Sequence, residues 1–142
     1  GCTRTIGYWK NHAGGDKKTD AVTALLPVWL GNKGGAKSVH VTAASQALEL
    51  LSKSDDASNG INKLYAQLLA AKLNILSGAD PSAIAAIITR ADQFLSQADA
   101  SSWGSLSNDD RQSVLSWAEF FDRFNNGIVG PGSCDGAEGG QE

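Results

Sequence analysis

Ile61-Asn62-Lys63-Leu64-Tyr65-Ala66-Gln67-Leu68-Leu69-Ala70-Ala71-Lys72-Leu73-Asn74-Ile75-Leu76 is the stretch whose reading decides the fold. Apolar residues fall at 61, 64, 65, 68, 69, 73 and 76, the i, i+3, i+4, i+7 spacing of one face of a helix. Ala, Leu, Lys and Gln supply strong helix propensity, and Gly78 stands where a C-terminal cap belongs. The apolar arc is wide, so the spacing predicts a central helix with several elements packed on it.

Working outward, Asp80-Pro81 places a cap and a first-turn proline side by side and predicts a helix whose apolar face is Ile84, Ile87, Ile88, Ala91, Leu95 and Ala98. Residues 101–106 read as a loop holding Trp103. Ser107-Asn108-Asp109-Asp110 opens the last helix, with Val114, Trp117, Ala118, Phe121 and Phe124 or Asn125 as its stripe and Asn126-Gly127 as its end. Before the central helix, residues 52–60 form a polar loop in which Ser58 or Asn59 provides the cap. Thr42 caps a helix carrying Ala43, Ala47, Leu48, Leu50 and Leu51. Val28-Trp29-Leu30 and Ser38-Val39-His40-Val41 flank a Gly-rich turn and read as a small β-hairpin. Thr19 or Asp20 caps a short turn over residues 21–26, which Pro27 ends, and Gly14 to Lys18 is a polar loop. Cys2 to His12 is rich in Thr, Ile, Tyr and Trp and reads as an extended arm anchored by Tyr8, Trp9 and His12. The expectation is a mainly α, compact bundle of about four helices with an extended N-terminal arm over residues 1–18, a small hairpin and a Gly-rich tail over 135–142. Residues 1–142 form one domain, large enough to bury a core without a metal.

Hydrophobic residues make up 42% and charged residues 19%, which places the chain among globular proteins. Net charge is −3 and gives no reason to expect nucleic acid. Its distribution is uneven: residues 1–53 carry +4 and residues 54–142 carry −7. A basic front and an acidic back favour head-to-tail contacts between copies. No apolar run approaches the roughly 20 residues that span a bilayer, so no membrane span is expected. Cys2 and Cys134 lie near the two ends, outside any CxxC motif. They read best as a disulfide in a secreted chain; two unrelated thiols, or a lipoprotein cleavage remnant at Cys2, are the alternatives. Closing so long a loop stabilises the fold by about 4–5 kcal/mol in the chain-entropy model.

Chemistry is sparse. Cys2, His12, His40 and Cys134 have no zinc-ligand spacing, and no metal or cofactor is expected. Asp55-Asp56-Ala57-Ser58-Asn59-Gly60 gathers oxygen ligands but lacks the alternating spacing and final Glu of an EF-hand; a solvated loop that caps the next helix is the simpler reading. No serine sits in a GxSxG elbow, and neither Gly34-Gly35 nor the tail is a phosphate loop. The chain is not expected to be an enzyme. Of the four tryptophans, Trp117 reads as core, while Trp9, Trp29 and Trp103 lie outside helices as covers or contact residues.

With Gly7-Tyr8-Trp9-Lys10-Asn11-His12 in its opening block, the chain resembles, from Cys2 to Cys134, a family of secreted bacterial domains that open Cys-Thr-x-Thr-x-Gly-Tyr-Trp-Lys-Asn-His. The similarity continues through Leu68-Leu69-Ala70-Ala71-Lys72-Leu73-Asn74 and the ending Phe124-Asn125-Asn126-Gly127-Ile128-Val129-Gly130-Pro131-Gly132-Ser133-Cys134. In many relatives proline follows the histidine and His or another residue precedes the last cysteine; here Ala13 and Ser133 stand instead, which removes one potential metal ligand. The resemblance implies an extracellular or cell-surface protein and carries no established catalytic activity, so it bears on the compartment and not on a mechanism. The expected function is therefore an exported structural subunit that assembles with copies of itself as a filament or surface layer. The basic segment of Lys10, Lys17, Lys18, Lys33 and Lys37 would meet Asp109, Asp110, Glu119 and Asp122, with Trp29 or Trp103 adding apolar contact. The alternative is an extracellular module that uses exposed tryptophans to bind a carbohydrate or a protein, including other cell-surface proteins or glycans.

Overall fold

The computed structural model describes residues 1–134; the tail expected over 135–142 lies outside the described residues. Helix α3, Gly60–Leu76, is the axis of the molecule, with twelve of its 17 residues buried. Asn59 caps it, its side-chain oxygen accepting from the Ile61 and Asn62 N–H groups at 3.0 and 3.2 Å. At the other end Gly78 takes φ +114°, the left-handed conformation that lets the chain leave the helix. Because α3 is buried around most of its circumference, Ala66, Ala70 and Ala71 are fully covered and leave room for neighbours to come close.

Helix α5, Asn108–Asn125, is the main neighbour of α3. Ser107 caps it by accepting from Asp110 N–H at 3.1 Å, and Asp109 and Asp110 sit in the first turn, where the helix dipole favours negative charge. The two helices run in the same direction: Gly60 lies against Leu115, and further along Asn74 bonds Asn125. Val114, Phe121 and Phe124 are wholly buried in this contact region of the core. Loss of either phenylalanine would cost about 3–5 kcal/mol. Helix α2, Ala44–Leu51, adds Ala47 and Leu51, and helix α4, Ala85–Leu95, adds Ala91 and Leu95. Of the apolar positions expected from the periodicity, 61, 64, 65, 68, 69 and 73 are buried while Leu76 is 53% exposed, and the mainly α architecture with a small hairpin is the one observed.

The hairpin consists of β1, Val28–Leu30, and β2, Val39–Val41, antiparallel with Val28 opposite Val41, Trp29 opposite His40 and Leu30 opposite Val39. Val28, Leu30 and Val41 point into the core. Trp29 and His40 stack on the outer face with ring centroids 4.1 Å apart.

Several local expectations are corrected. The N-terminal arm is extended only to Thr5; Ile6–Asn11 is a short helix, α1. Thr5 Oγ1 accepts from Tyr8 N–H at 3.3 Å, and this cap outweighs the β preference of Ile6, Tyr8 and Trp9. Helix α2 is capped at Ala43, not Thr42, and without a side-chain bond. Gln46 does the equivalent work by accepting from Thr42 N–H and donating to His40 C=O, both at 3.0 Å. Helix α4 begins at Ala85, four residues beyond Pro81, because Asp80 and Pro81 instead form a separate turn closed by Ile84 N–H on Pro81 C=O at 2.9 Å. The stretch expected as a loop around Trp103 is a 3-10 helix, Ala100–Ser105, capped by Asp99 and Ser102.

Candidate functional site

Three stretches distant in sequence meet at one end of α3, around Asn74, which is 1% exposed. Its side-chain oxygen accepts from Arg4 N–H at 2.8 Å and from the Trp9 indole N–H at 3.2 Å. Its amide nitrogen donates to Arg4 C=O at 2.9 Å and to the Asn125 side-chain oxygen at 3.0 Å. Asn125 passes the chain on, donating to the backbone and side-chain oxygens of Gln67 at 3.1 and 2.9 Å. Asn74 thereby fills both donors and both acceptor positions, and only one orientation of its amide serves Arg4 N–H and C=O together. Asn74 therefore pairs with Arg4 as a neighbouring strand would, fastening the extended N-terminus to the two central helices.

The chain ends are locked beside this network. Cys2 and Cys134 form a disulfide across 132 residues, with Cα atoms 4.8 Å apart. Thr3 N–H donates to Gly132 C=O at 2.9 Å, and Cys134 N–H to Thr3 C=O at 2.8 Å, a parallel bridge. Gly127 makes the approach possible: it has φ +77°, and a side chain there would collide with Ser133. Trp9 is buried, 2% exposed, at the Asn74 network, while Tyr8 stacks on His12 at 4.0 Å. His12 Nδ1 lies 2.9 Å from Thr19 C=O; a carbonyl only accepts, so this nitrogen carries the proton.

A second polar cluster holds the hairpin. Lys72 Nζ donates to both Asp92 oxygens at 2.8 and 2.9 Å and to Trp29 C=O at 2.6 Å. Asp92 also accepts from Gly31 N–H at 2.9 Å. The pair is mostly covered, at 18% and 14% side-chain exposure, so it links α3, α4 and β1 with little solvent screening. Beside it opens a groove of about 380 Å³, walled by Trp29, Ile75, Leu76, Pro81, Ala85 and Ile88. Its lining is almost all hydrocarbon, and Leu76 remains 53% exposed.

The remaining residues singled out from the sequence are scattered. Trp103 packs on Gly60 at the start of α3, with the Arg111 guanidinium 5.3 Å from its ring, and Arg111 bonds the Trp103 and Gly104 carbonyls. Lys33 is exposed in the hairpin turn; Lys37 reaches Asp99 at 3.6 Å. Asp109 and Asp110 are exposed at the opposite end of α5 from Asn125. Asp56 binds Ser58 and Asn62, and the Ser58 hydroxyl first among these holds its carboxyl below the usual range. Asp122 lies in a separate polar cavity of about 300 Å³ with Lys63, Gln67 and Glu119, and burial raises its carboxyl pKa. The Tyr65 hydroxyl is buried with no hydrogen-bond partner among the described residues, and burial pushes its pKa up to about 12. No group of three or more His, Cys, Asp or Glu among the described residues could hold a metal ion.

Asn74, Asn125, Gln67 and the Lys72–Asp92 pair escaped functional notice in the sequence reading. Lys72 and Asn125 interrupt the apolar stripes of α3 and α5, whereas Gln67 and Asn74 fall on the side of α3 opposite residues 61, 64, 65, 68, 69, 73 and 76 and are buried because that helix is covered nearly all round. No protein-family model, curated protein or solved structure matches the chain.

Proposed function

We propose that the chain is an exported, non-enzymatic structural subunit that assembles with copies of itself. The observation that carries this reading is the use of its polar side chains. Those buried around Asn74 and Lys72 hold the fold together, with their bonding capacity taken up internally. Along the described residues, positions 1–53 carry seven basic and three acidic side chains, and positions 54–134 carry five basic and nine acidic ones. Charge of opposite sign on one molecule steers copies together. The terminal disulfide fits an extracellular setting, as does the lack of any helix long and apolar enough to cross a membrane among the described residues. The resemblance to secreted bacterial domains points the same way. Electron microscopy of the oxidised protein at low salt tests the reading: ordered filaments, sheets or rings are expected, and a field of separate monomers would reject it.

A second reading has its own support. The groove beside Trp29 has the size and apolar lining of a ligand pocket, so the chain would serve as an extracellular binding module. With so little polar lining, the groove suits an apolar group of a protein better than a sugar. Trp29→Ala would abolish such binding and leave assembly through charged surfaces intact.

A further inference from the structure

Most charged side chains near a cavity or a turn already have an internal task. Lys37 reaches Asp99, Lys72 holds Asp92, and Arg111 holds two carbonyls. Asp20 closes the loop after α1, and Asp56, Asp80 and Asp122 bond Ser58, Ser82 and Asn126. Lys10 and Lys17 differ: among the described residues neither enters an ion pair. Both line a cavity of about 220 Å³ between α1 and α2, where Asn11 and Ser52 add polar groups and Ala13 and Leu48 an apolar wall. Asp16 on the same rim still leaves the lining net positive. The acidic counterpart is the first turn of α5, where Asp109 and Asp110 stand adjacent, exposed and without an ion pair among the described residues.

We propose that the cavity between α1 and α2 docks the acidic first turn of α5 from a second copy of the chain, with Lys10 and Lys17 facing Asp109 and Asp110. This rests on the self-assembly reading above and names its contact. The occupant is argued from charge complementarity and from the cavity wall: the lysines select carboxylates, while Ala13 and Leu48 offer a surface that a free anion would leave bare. The start of α5 within the same molecule is already placed elsewhere, next to Trp103 at the head of α3. Two unlike patches give a heterologous contact, which propagates into a filament or closes into a ring. Rising salt slows its formation, since exposed charges are screened.

Sedimentation velocity at low salt on four samples tests the contact: wild type, Lys10→Gln/Lys17→Gln, Asp109→Asn/Asp110→Asn, and an equimolar mixture of the two variants. Wild type is expected to polymerise, and each variant alone to associate at least about tenfold more weakly, a change of about 1.4 kcal/mol. The mixture is expected to stop at 1:1 dimers, because one partner keeps a working cavity and the other a working α5 turn. Circular dichroism melts confirm that the variants fold, and if one does not, the other still reports on the contact. Arg90→Gln, an exposed cation on α4 outside the cavity lining, is expected to polymerise as wild type does. Wild-type polymers that persist unchanged in both double variants would overturn this contact and leave self-assembly standing. A monomeric wild type would overturn both.

Discussion

The closure around Asn74 and the groove beside Trp29 lie on the same helix, α3, and use opposite chemistry. At the closure every polar group of Asn74 is paired and the surroundings are dry. At the groove hydrocarbon stays in contact with solvent, with Leu76 half exposed. The first arrangement makes one conformation unique, since any slip leaves buried donors and acceptors unpaired. The second is tolerated because a few exposed apolar groups cost little in a fold whose core lies elsewhere. Substitutions at the closure should therefore act on stability, and those at the groove on binding.

The sharpest way to break that division is to open the closure. Cys2→Ser/Cys134→Ser removes a cross-link spanning 132 residues and is expected to cost about 4 kcal/mol, read from denaturant unfolding of oxidised wild type against the variant. A loss under about 1 kcal/mol would mean that the Thr3–Ser133 bridge and Asn74 suffice to hold the ends. Asn74→Leu comes next, at about 3 kcal/mol, because Arg4 N–H and C=O, the Trp9 indole and the Asn125 amide all lose a partner. The Trp9 fluorescence of the folded variant should report a wetter ring.

Lys72 belongs to both regions, sitting on α3 and supporting the groove wall. Lys72→Met leaves Asp92 with Gly31 N–H in place of a cation, and about 2 kcal/mol should be lost in thermal unfolding. Proton exchange at the hairpin amides should rise more than at those near Asn74. The smallest effect is pH-dependent. The Thr23 hydroxyl first, then Gly14 N–H, holds the Asp20 carboxyl at about 2. A carboxyl whose pKa is lower in the folded state stabilises it fully above its unfolded value, near 4, and this contribution disappears as pH falls towards about 2. Melting temperature should drop across that window in wild type and less so in Asp20→Asn, with the loop after α1 loosening first.

Much of this was readable from residue order, and the limits have physical causes. The helix over residues 60–76, the hairpin and the Ser107 cap follow from local periodicity and capping chemistry, which a single stretch carries. The terminal cysteines were legible because two lone thiols at the ends of a domain have few other uses. The helix at Ile6–Asn11 was missed because its β-forming residues are overruled by a threonine cap and by the Trp9–Asn74 bond, 65 positions apart. Pro81 misled for a related reason: its conformation suits a first helical turn, but Asp80 uses Ser82 to close a tighter one. The groove was invisible, since Trp29, Leu76 and Ile88 come from three elements whose mutual placement no local pattern records.

The central claim is that the oxidised chain assembles with itself, and light scattering across a concentration series at low salt tests it most directly. The account predicts a molar mass that climbs well beyond the 14.8 kDa of one chain as concentration rises and falls back when salt is added. A value fixed at 14.8 kDa at every concentration and ionic strength would contradict it.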